Sequence, residues 1–429
     1  MPTKNYPLFF LIALAFMALL IPAPAILSIV MFMMVAWGLW HYKAAWAGLK
    51  SEPVWWAVMG VFIMLLPQCL YSDNWHYLGE RLRIKLPFLI LPFAFAAAKP
   101  FGRKQFYLLL AWLSVLMSIV GLGVLINYAL HYEAINDSLT YSKAIPTPIH
   151  HIRFSLLLAL SAIGSGLLAS RELAFFYTHQ PKSEEELSVK NSIIKLFYWL
   201  LHLVFSDAWR KVRIVFAVLC AFQVLLLHIL AVRSGLFAFY GAMFMLLVQY
   251  TIVQRRYLIG ALALALLVTV PLAAYYTIPS VQQKVNLTLW NWQQYKEGVV
   301  GEYSDTKRML SYQVGLDLFQ QHPIVGVGMG DAWDTIQAMY QSKYNGNTPM
   351  LPHNEYLYYA VGTGLLGLLL FLICFFYPLF NRARWREPFT LAFFVISFLS
   401  MMTETTIETQ VGVAFTVLPL CLVLKTKTD

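Results

Sequence analysis

Charge is what this sequence has least of. Only 12% of its 429 residues are Asp, Glu, Lys or Arg, against 59% hydrophobic, whereas an ordinary soluble domain is about half apolar and about a quarter charged. So small a supply of charge cannot coat a chain this long with hydrated side chains, which excludes a soluble enzyme, a disordered chain and a collagen-like fibre. Cysteine is scarce too. Cys69, Cys220, Cys374 and Cys421 each lie inside an apolar run, so there is no disulfide framework and no CxxC metal site. The apolar runs lack the two-residue alternation of a membrane barrel. Gly326-Val327-Gly328-Met329-Gly330 is glycine-rich but lacks the Lys-Ser/Thr of a phosphate loop and follows no strand. It reads as a tight turn, and no nucleotide site is expected.

What is present is a succession of hydrophobic runs. A helix crosses about 30 Å of hydrocarbon in about 20 residues. Twelve candidate spans fall at 7–21, 24–41, 54–71, 84–98, 106–130, 154–169, 212–231, 234–252, 257–277, 355–378, 388–402 and 409–424. Only a helix satisfies every backbone group within one segment, so the chain reads as an all-α polytopic integral membrane protein. Ala23-Pro24-Ala25 loosely mimics a signal-peptide cleavage site, but prolines flank it and a second apolar run starts at once, so a helical hairpin is expected.

There are 31 Lys and Arg against 21 Asp and Glu, a net charge of +10. Many of these cations sit in short stretches between apolar runs, as membrane orientation and anionic lipids favour, and nucleic acid is not the expected partner. Twenty of the 31 fall on the side of the N-terminus, including Arg255-Arg256 and the Arg382/Arg384/Arg386 cluster, which predicts cytoplasmic N- and C-termini. Residues 1–277 then hold nine spans with a cytoplasmic loop at about 170–211, residues 278–353 form a long outer loop with short helices between spans nine and ten, and residues 354–429 hold the last three. In the cytoplasmic loop Glu184-Glu185-Glu186 reads as a solvated face, and Ile193–Phe205 suits an amphipathic helix lying on the membrane. In the outer loop Asp305–Gln321 reads as a helix with Met309, Tyr312, Leu316 and Phe319 on about one face, ended by His322-Pro323. A loop of this length is usually a binding element or a lid.

Ionisable groups beside apolar spans are costly and mark functional candidates. His353 stands in Pro352-His353-Asn354-Glu355-Tyr356-Leu357, where the outer loop re-enters the membrane. An imidazole there accepts a proton near neutral pH, and a helix start disfavours its charged form; the alternative is a capping or interfacial histidine. Arg233 precedes Ser234-Gly235 on the outer side, where the charge bias would not place it; a bound anion explains it, and a snorkelling side chain is the alternative. Arg153 opens another outer helix in His150-His151-Ile152-Arg153; Arg81, Arg83 and Lys85 form a further outer basic group, and Arg308 lies in the loop helix. Arginine presents a rigid bidentate fork to phosphate oxygens, so several of these suit a phosphorylated lipid head. His150-His151 has no carboxylate at ligand spacing, and no metal is expected. Glu404 and Glu408, four apart at an outer turn, read as solvating a loop.

The residues around the end of the outer loop resemble the bacterial O-antigen ligase and polymerase superfamily. The likeness rests on Arg308, on His322-Pro323-Ile324-Val325-Gly326-Val327-Gly328, and on His353-Asn354-Glu355-Tyr356-Leu357 followed by a helix through Gly364 and Gly367, with ten residues between His353 and Gly364. Arg233-Ser234-Gly235 resembles the upstream arginine motif, and His151-Ile152-Arg153 with Leu157 another ligase pattern, more weakly. Together these motifs cover roughly 150–370.

The resemblance implies a GT-C-like glycosyltransferase of the bacterial inner membrane with its site facing the periplasm. It implies transfer of an O-antigen glycan from undecaprenyl pyrophosphate to lipid A-core, with no metal or other cofactor. By the same resemblance His353 is the essential histidine, acting as general base, and Arg233 and Arg308 are the essential arginines, with Arg153 a weaker match; these three, and Arg81 from the outer basic group, are expected to bind the pyrophosphate. The donor carries its own leaving group, so the arginines neutralise departing charge, His353 activates a sugar hydroxyl, and direct attack inverts the anomeric carbon. An O-antigen polymerase or a protein O-oligosaccharyltransferase uses the same donor. A twelve-helix transporter is the alternative from another class, but loop 42–53 lacks the Gly-Asp-Arg-rich motif of the major facilitator type and the large outer loop is unexpected there.

Overall fold

A computed structural model describes residues 6–140, 143–170, 209–298, 304–344 and 348–427. Glu184-Glu185-Glu186 and Ile193–Phe205 lie outside the described residues. Among those described, the chain is helical without strands, save one isolated bridge between Phe101 and Thr426.

The helices run α1 (Tyr6–Ala18), α2 (Pro24–Trp40), α3 (Tyr42–Ser51), α4 (Val54–Ile63), α5 (Trp75–Lys85), α6 (Pro87–Ala97), α7 (Arg103–Leu130), α8 (Tyr132–Thr140) and α9 (His151–Ala169). They continue as α10 (Trp209–Leu230), α11 (Arg233–Gln254), α12 (Tyr257–Thr277), α13 (Pro279–Lys296), α14 (Ser304–Gln321), α15 (Ala332–Lys343), α16 (Glu355–Phe376), α17 (Arg382–Arg386), α18 (Pro388–Thr403) and α19 (Gln410–Lys425). Among the described residues six are long and apolar enough to cross a membrane, α7, α9, α10 from Val212, α11, α12, and α16 extended to Phe380, and the bent pair α2 and α3 makes a seventh if it is one span. The helices α1, α18 and α19, and the stretch Val54–Leu70, are apolar but shorter. The chain is a multi-pass membrane protein.

Several expected boundaries shift. The expected loop 42–53 is mostly the helix α3, which leaves α2 at a bend of 88°. The expected span 54–71 is α4 followed by a 3₁₀ turn, Leu66–Leu70, which Pro67 helps to start. The expected span 84–98 is the end of α5 plus the eleven residues of α6, only about 17 Å long. Leu86-Pro87 separates the two, because proline has no N–H to continue α5.

The centre of the bundle is α9, packed against α7, α10, α11 and α18. Ser155, Ser161 and Ser165 are buried along it. Gln223 of α10 accepts from Ser161 and Ser165 at 3.2 and 3.0 Å and donates to Ser114 O and Ser118 Oγ of α7 at 2.8 Å. One amide thereby ties three helices through buried hydrogen bonds. Beside Arg233, a Cβ on Gly235 would stand 2.3 Å from Ser155 Oγ, so only glycine lets the start of α11 lie this close to α9.

The segment expected as the outer loop is built from α13, α14 and α15. The helix α14 confirms the expected element and its end: His322 still donates to Leu318 O, and Pro323 follows. Its covered face differs from the expected one. Leu310, Val314 and Leu318 are buried, whereas Leu316 is 49% exposed. Tyr312 faces the site instead, donating to His353 O at 2.9 Å.

Gly326–Gly330 is more than a turn. Gly364 interrupts α16 with φ +64° and ψ −170°, a conformation essentially reserved for glycine. Val361 and Gly362 therefore do not bond Leu365 and Leu366. Their carbonyls accept from Val327 N (2.9 Å) and Gly328 N (3.0 Å), while Leu365 N and Leu366 N donate to Pro323 O (2.8 Å) and Ile324 O (3.2 Å). The glycine-rich stretch is inserted into the broken helix, where Gly326 and Gly328 adopt φ +72° and +97°.

Candidate functional site

His353 precedes α16, whose first turn is capped by Asn354 accepting from Leu357 N. Both backbone groups of His353 are held from α14, since its N–H donates to Ser311 Oγ at 3.2 Å and its carbonyl accepts from Tyr312. Its Nδ1 lies 3.2 Å from Glu404 Oε2, and the other oxygen of Glu404 accepts from Arg308 Nη2 at 3.1 Å. Burial raises the affinity of the Glu404 carboxyl for its proton, but the hydrogen bond with His353 and the charges of His353, Arg308 and Arg153 outweigh it and hold Glu404 below its usual value. An ionised carboxylate only accepts hydrogen bonds. Nδ1 therefore carries a proton, and in the neutral imidazole the lone pair lies on Nε2.

Arg308 lies one turn after Asp305 on α14, with Nη1 4.0 Å from Asp305 Oδ1. Asp305 engages Arg233 fork to fork: Nη1 donates to Oδ2 at 2.6 Å and Nη2 to Oδ1 at 2.5 Å. Thr288 and Asn291 of α13 complete this corner, the first accepting from Arg233 at 2.9 Å and the second donating to Asp305 at 3.1 Å. Burial pushes Asp305 upward, but the hydrogen bonds and charge of Arg233, with Asn291 and Arg308, hold it below the usual carboxylate value. Arg233, Asp305, Arg308, Glu404 and His353 thus form one continuous line of alternating charge.

A cavity of about 220 Å³ opens beside Arg233, lined by Ala231, Leu236, Val281, Lys284, Val285, Thr288 and Leu289. Its walls are apolar apart from Arg233, Lys284 and Thr288. Burial and the neighbouring Arg233 push the Lys284 ammonium down to about 8.

The other expected arginines stand behind this line. Arg153 is buried, with Nη2 donating to Thr405 O at 3.0 Å. Arg81 donates to Glu408 Oε2 at 3.1 Å, and Lys85, fully buried, pairs with the other oxygen of Glu408. Arg83 is exposed at the rim of a separate crevice lined by Ser28, Phe32 and Ile90. The rings of His150 and His151 lie 4.4 Å apart at the start of α9.

Glu404 and Glu408 correct the sequence reading. Both are buried, at 7% and 5% exposure, in the connection between α18 and α19. They do not solvate a loop because cations from α5 and α14 close over them. Asp305, Lys284 and Tyr312 were likewise not singled out as site residues. The available signal was the presence of carboxylates next to apolar spans on the side that carries the arginines.

Comparison with curated proteins found no match. Residues 192–372, which contain Arg233, Lys284, Asp305, Arg308 and His353, match the model of the O-antigen ligase family, so the resemblance drawn from the motifs is borne out.

Proposed function

We propose that the protein is an O-antigen ligase of the bacterial inner membrane. It transfers an O-antigen glycan from undecaprenyl pyrophosphate to a sugar hydroxyl of lipid A-core, on the periplasmic side, with both termini in the cytoplasm. The observation that carries this reading is the line from Arg233 through Asp305, Arg308 and Glu404 to His353, which sets a base about one side chain away from arginines suited to a diphosphate.

In this reading Arg233, Arg308 and Lys284 take the pyrophosphate, and the apolar cavity beside them takes the first part of the prenyl chain. Arg153 and Arg81 act from behind, fixing the turn that carries Glu404 and Glu408. As the acceptor oxygen attacks the anomeric carbon, its proton passes to His353 Nε2. The bond from that carbon to the pyrophosphate oxygen breaks, and the leaving group keeps the electron pair. Guanidinium groups in a water-poor site offset its charge without protonating it. Attack from the face opposite the leaving group inverts the carbon. General-base assistance of this kind is worth about 10²–10⁴-fold.

The test is transfer in vitro by purified protein, with lipid-linked glycan and lipid A-core in the presence of chelator. Wild type should transfer, and His353→Ala should remain folded and inactive. Transfer only to a second lipid-linked glycan would assign a polymerase, and transfer only to Ser or Thr of a protein would assign an oligosaccharyltransferase.

A further inference from the structure

We infer that Glu404 is the positioning residue of His353 and couples the base to the donor site. The inference deepens the function proposed above and rests on it for the identity of the reaction, but the contact it concerns is independent of that identity. One buried carboxylate is divided between two partners, with Oε2 on His353 Nδ1 at 3.2 Å and Oε1 on Arg308 Nη2 at 3.1 Å. Its own backbone is fixed at the C-terminal end of α18, where Glu404 N donates to Ser400 O at 2.9 Å.

Two consequences follow from this division. First, Glu404 fixes the tautomer and the ring plane, so that Nε2 is the proton acceptor. When the acceptor hydroxyl gives up its proton, the resulting imidazolium faces a carboxylate, and the positive charge forms beside a compensating one. Second, the strength of that compensation depends on Arg308. A donor diphosphate bound at Arg308 draws the guanidinium toward itself and leaves more of the Glu404 charge to the imidazole. The base is then strongest when the donor is in place, and weaker in its absence, when an activated hydroxyl has no anomeric carbon to attack. The charged and titratable groups around His353 that enter this balance are Glu404 and, through it, Arg308, Arg153, His150 and His151 at the start of α9, and Tyr312 of α14.

The experiment uses full-length protein in detergent or nanodiscs and compares wild type, Glu404→Gln and Glu404→Asp. Glu404→Gln retains size and one acceptor oxygen but not the charge. It should lower kcat by about a hundredfold or more, leave the acceptor KM within twofold, and move the acidic limb of the pH–rate profile to lower pH. Glu404→Asp should recover part of kcat and return the limb toward wild type. A parallel readout needs no substrate: the rate of His353 carbethoxylation by diethyl pyrocarbonate, followed by peptide mass against pH, should titrate at lower pH in Glu404→Gln than in wild type. Adding undecaprenyl pyrophosphate should raise the midpoint in wild type and leave it unmoved in Arg308→Ala.

An unchanged carbethoxylation midpoint in a folded Glu404→Gln protein would overturn the proposal. If Glu404→Gln does not fold, a wild-type carbethoxylation midpoint that undecaprenyl pyrophosphate leaves unmoved would do the same. Loss of all O-antigen transfer in wild type, with the carbethoxylation shift intact, would instead overturn the assigned reaction and keep the His353–Glu404 coupling.

Discussion

Arg233 and Asp305 meet as two forks, each terminal nitrogen of the guanidinium on its own carboxylate oxygen at 2.6 and 2.5 Å. Seventy-two residues separate them in the chain, and the contact joins the start of α11 to the start of α14. Asp305 thus occupies the face of Arg233 that the proposed function gives to a diphosphate.

Arg233→Lys keeps the charge and loses the planar fork. The expected result is a fall in kcat/KM for the lipid-linked donor of about ten- to a hundredfold, measured by in vitro transfer. Normal activity would assign Arg233 to lipid contact alone.

Asp305→Asn removes the competing charge and keeps the size. Donor KM should fall by about two- to fivefold, the range of a partly screened ion pair. A rise in donor KM would mean that Asp305 organises the arginines for the donor and does not compete with it.

Lys284 titrates within reach of ordinary assays, at about 8. Its ammonium is intact below that pH and lost above it, so affinity for the donor should decrease as pH rises from 7 to 9. The groups facing it are Arg233, Asp305 and Arg308, and arginine stays charged throughout this range. Donor binding should be measured rather than rate, because imidazoles titrate nearby. Lys284→Arg should bind with little dependence on pH over this interval, and Lys284→Gln weakly at every pH.

Glu408 is a matter of stability. It is buried between Lys85 and Arg81, and Glu408→Ala leaves the buried Lys85 without its pair and Arg81 with only the longer 3.9 Å contact to the half-exposed Glu80. Breaking a buried pair from one side costs about 3–5 kcal/mol, so the variant should melt well below wild type in detergent, as read by fluorescence-detected size exclusion after heating.

Gly364→Ala tests the break in α16. The new Cβ would stand 2.2 Å from Ile324 O, at a backbone geometry that side-chain-bearing residues avoid. The strain alone is worth about 1–3 kcal/mol, and the contact adds to it. Lower thermal stability and lost transfer are expected together, whereas Leu369→Ala, exposed and outside the break, is the control for substitution within the same helix.

The membrane-embedded character, the helix ended by His322-Pro323 and the three residues Arg233, Arg308 and His353 were legible in the sequence, because each depends on local composition or on a short motif. The carboxylates were not. Glu404 meets Arg308 across 96 residues and Glu408 meets Arg81 across 327, and nothing near them in the chain says which cation will neutralise them. The covered face of α14 was misread for a related reason. Leu310, Val314 and Leu318 compete with Met309, Tyr312, Leu316 and Phe319 at helical spacing, and the choice is made by α16, which packs against α14. The bend after α2 was hidden by Lys43 and Lys50, whose charges make α3 look like a loop between spans.

Because four main-chain hydrogen bonds stitch residues 323–328 into the gap at Gly364, neither partner is a self-sufficient module. A chimera that imported a relative's outer segment without the first half of α16 would leave four amide or carbonyl groups of the recipient unsatisfied. An exchange of this segment between relatives would therefore have to move residues 304–366 as a single cassette, carrying the histidine with the loop that surrounds it.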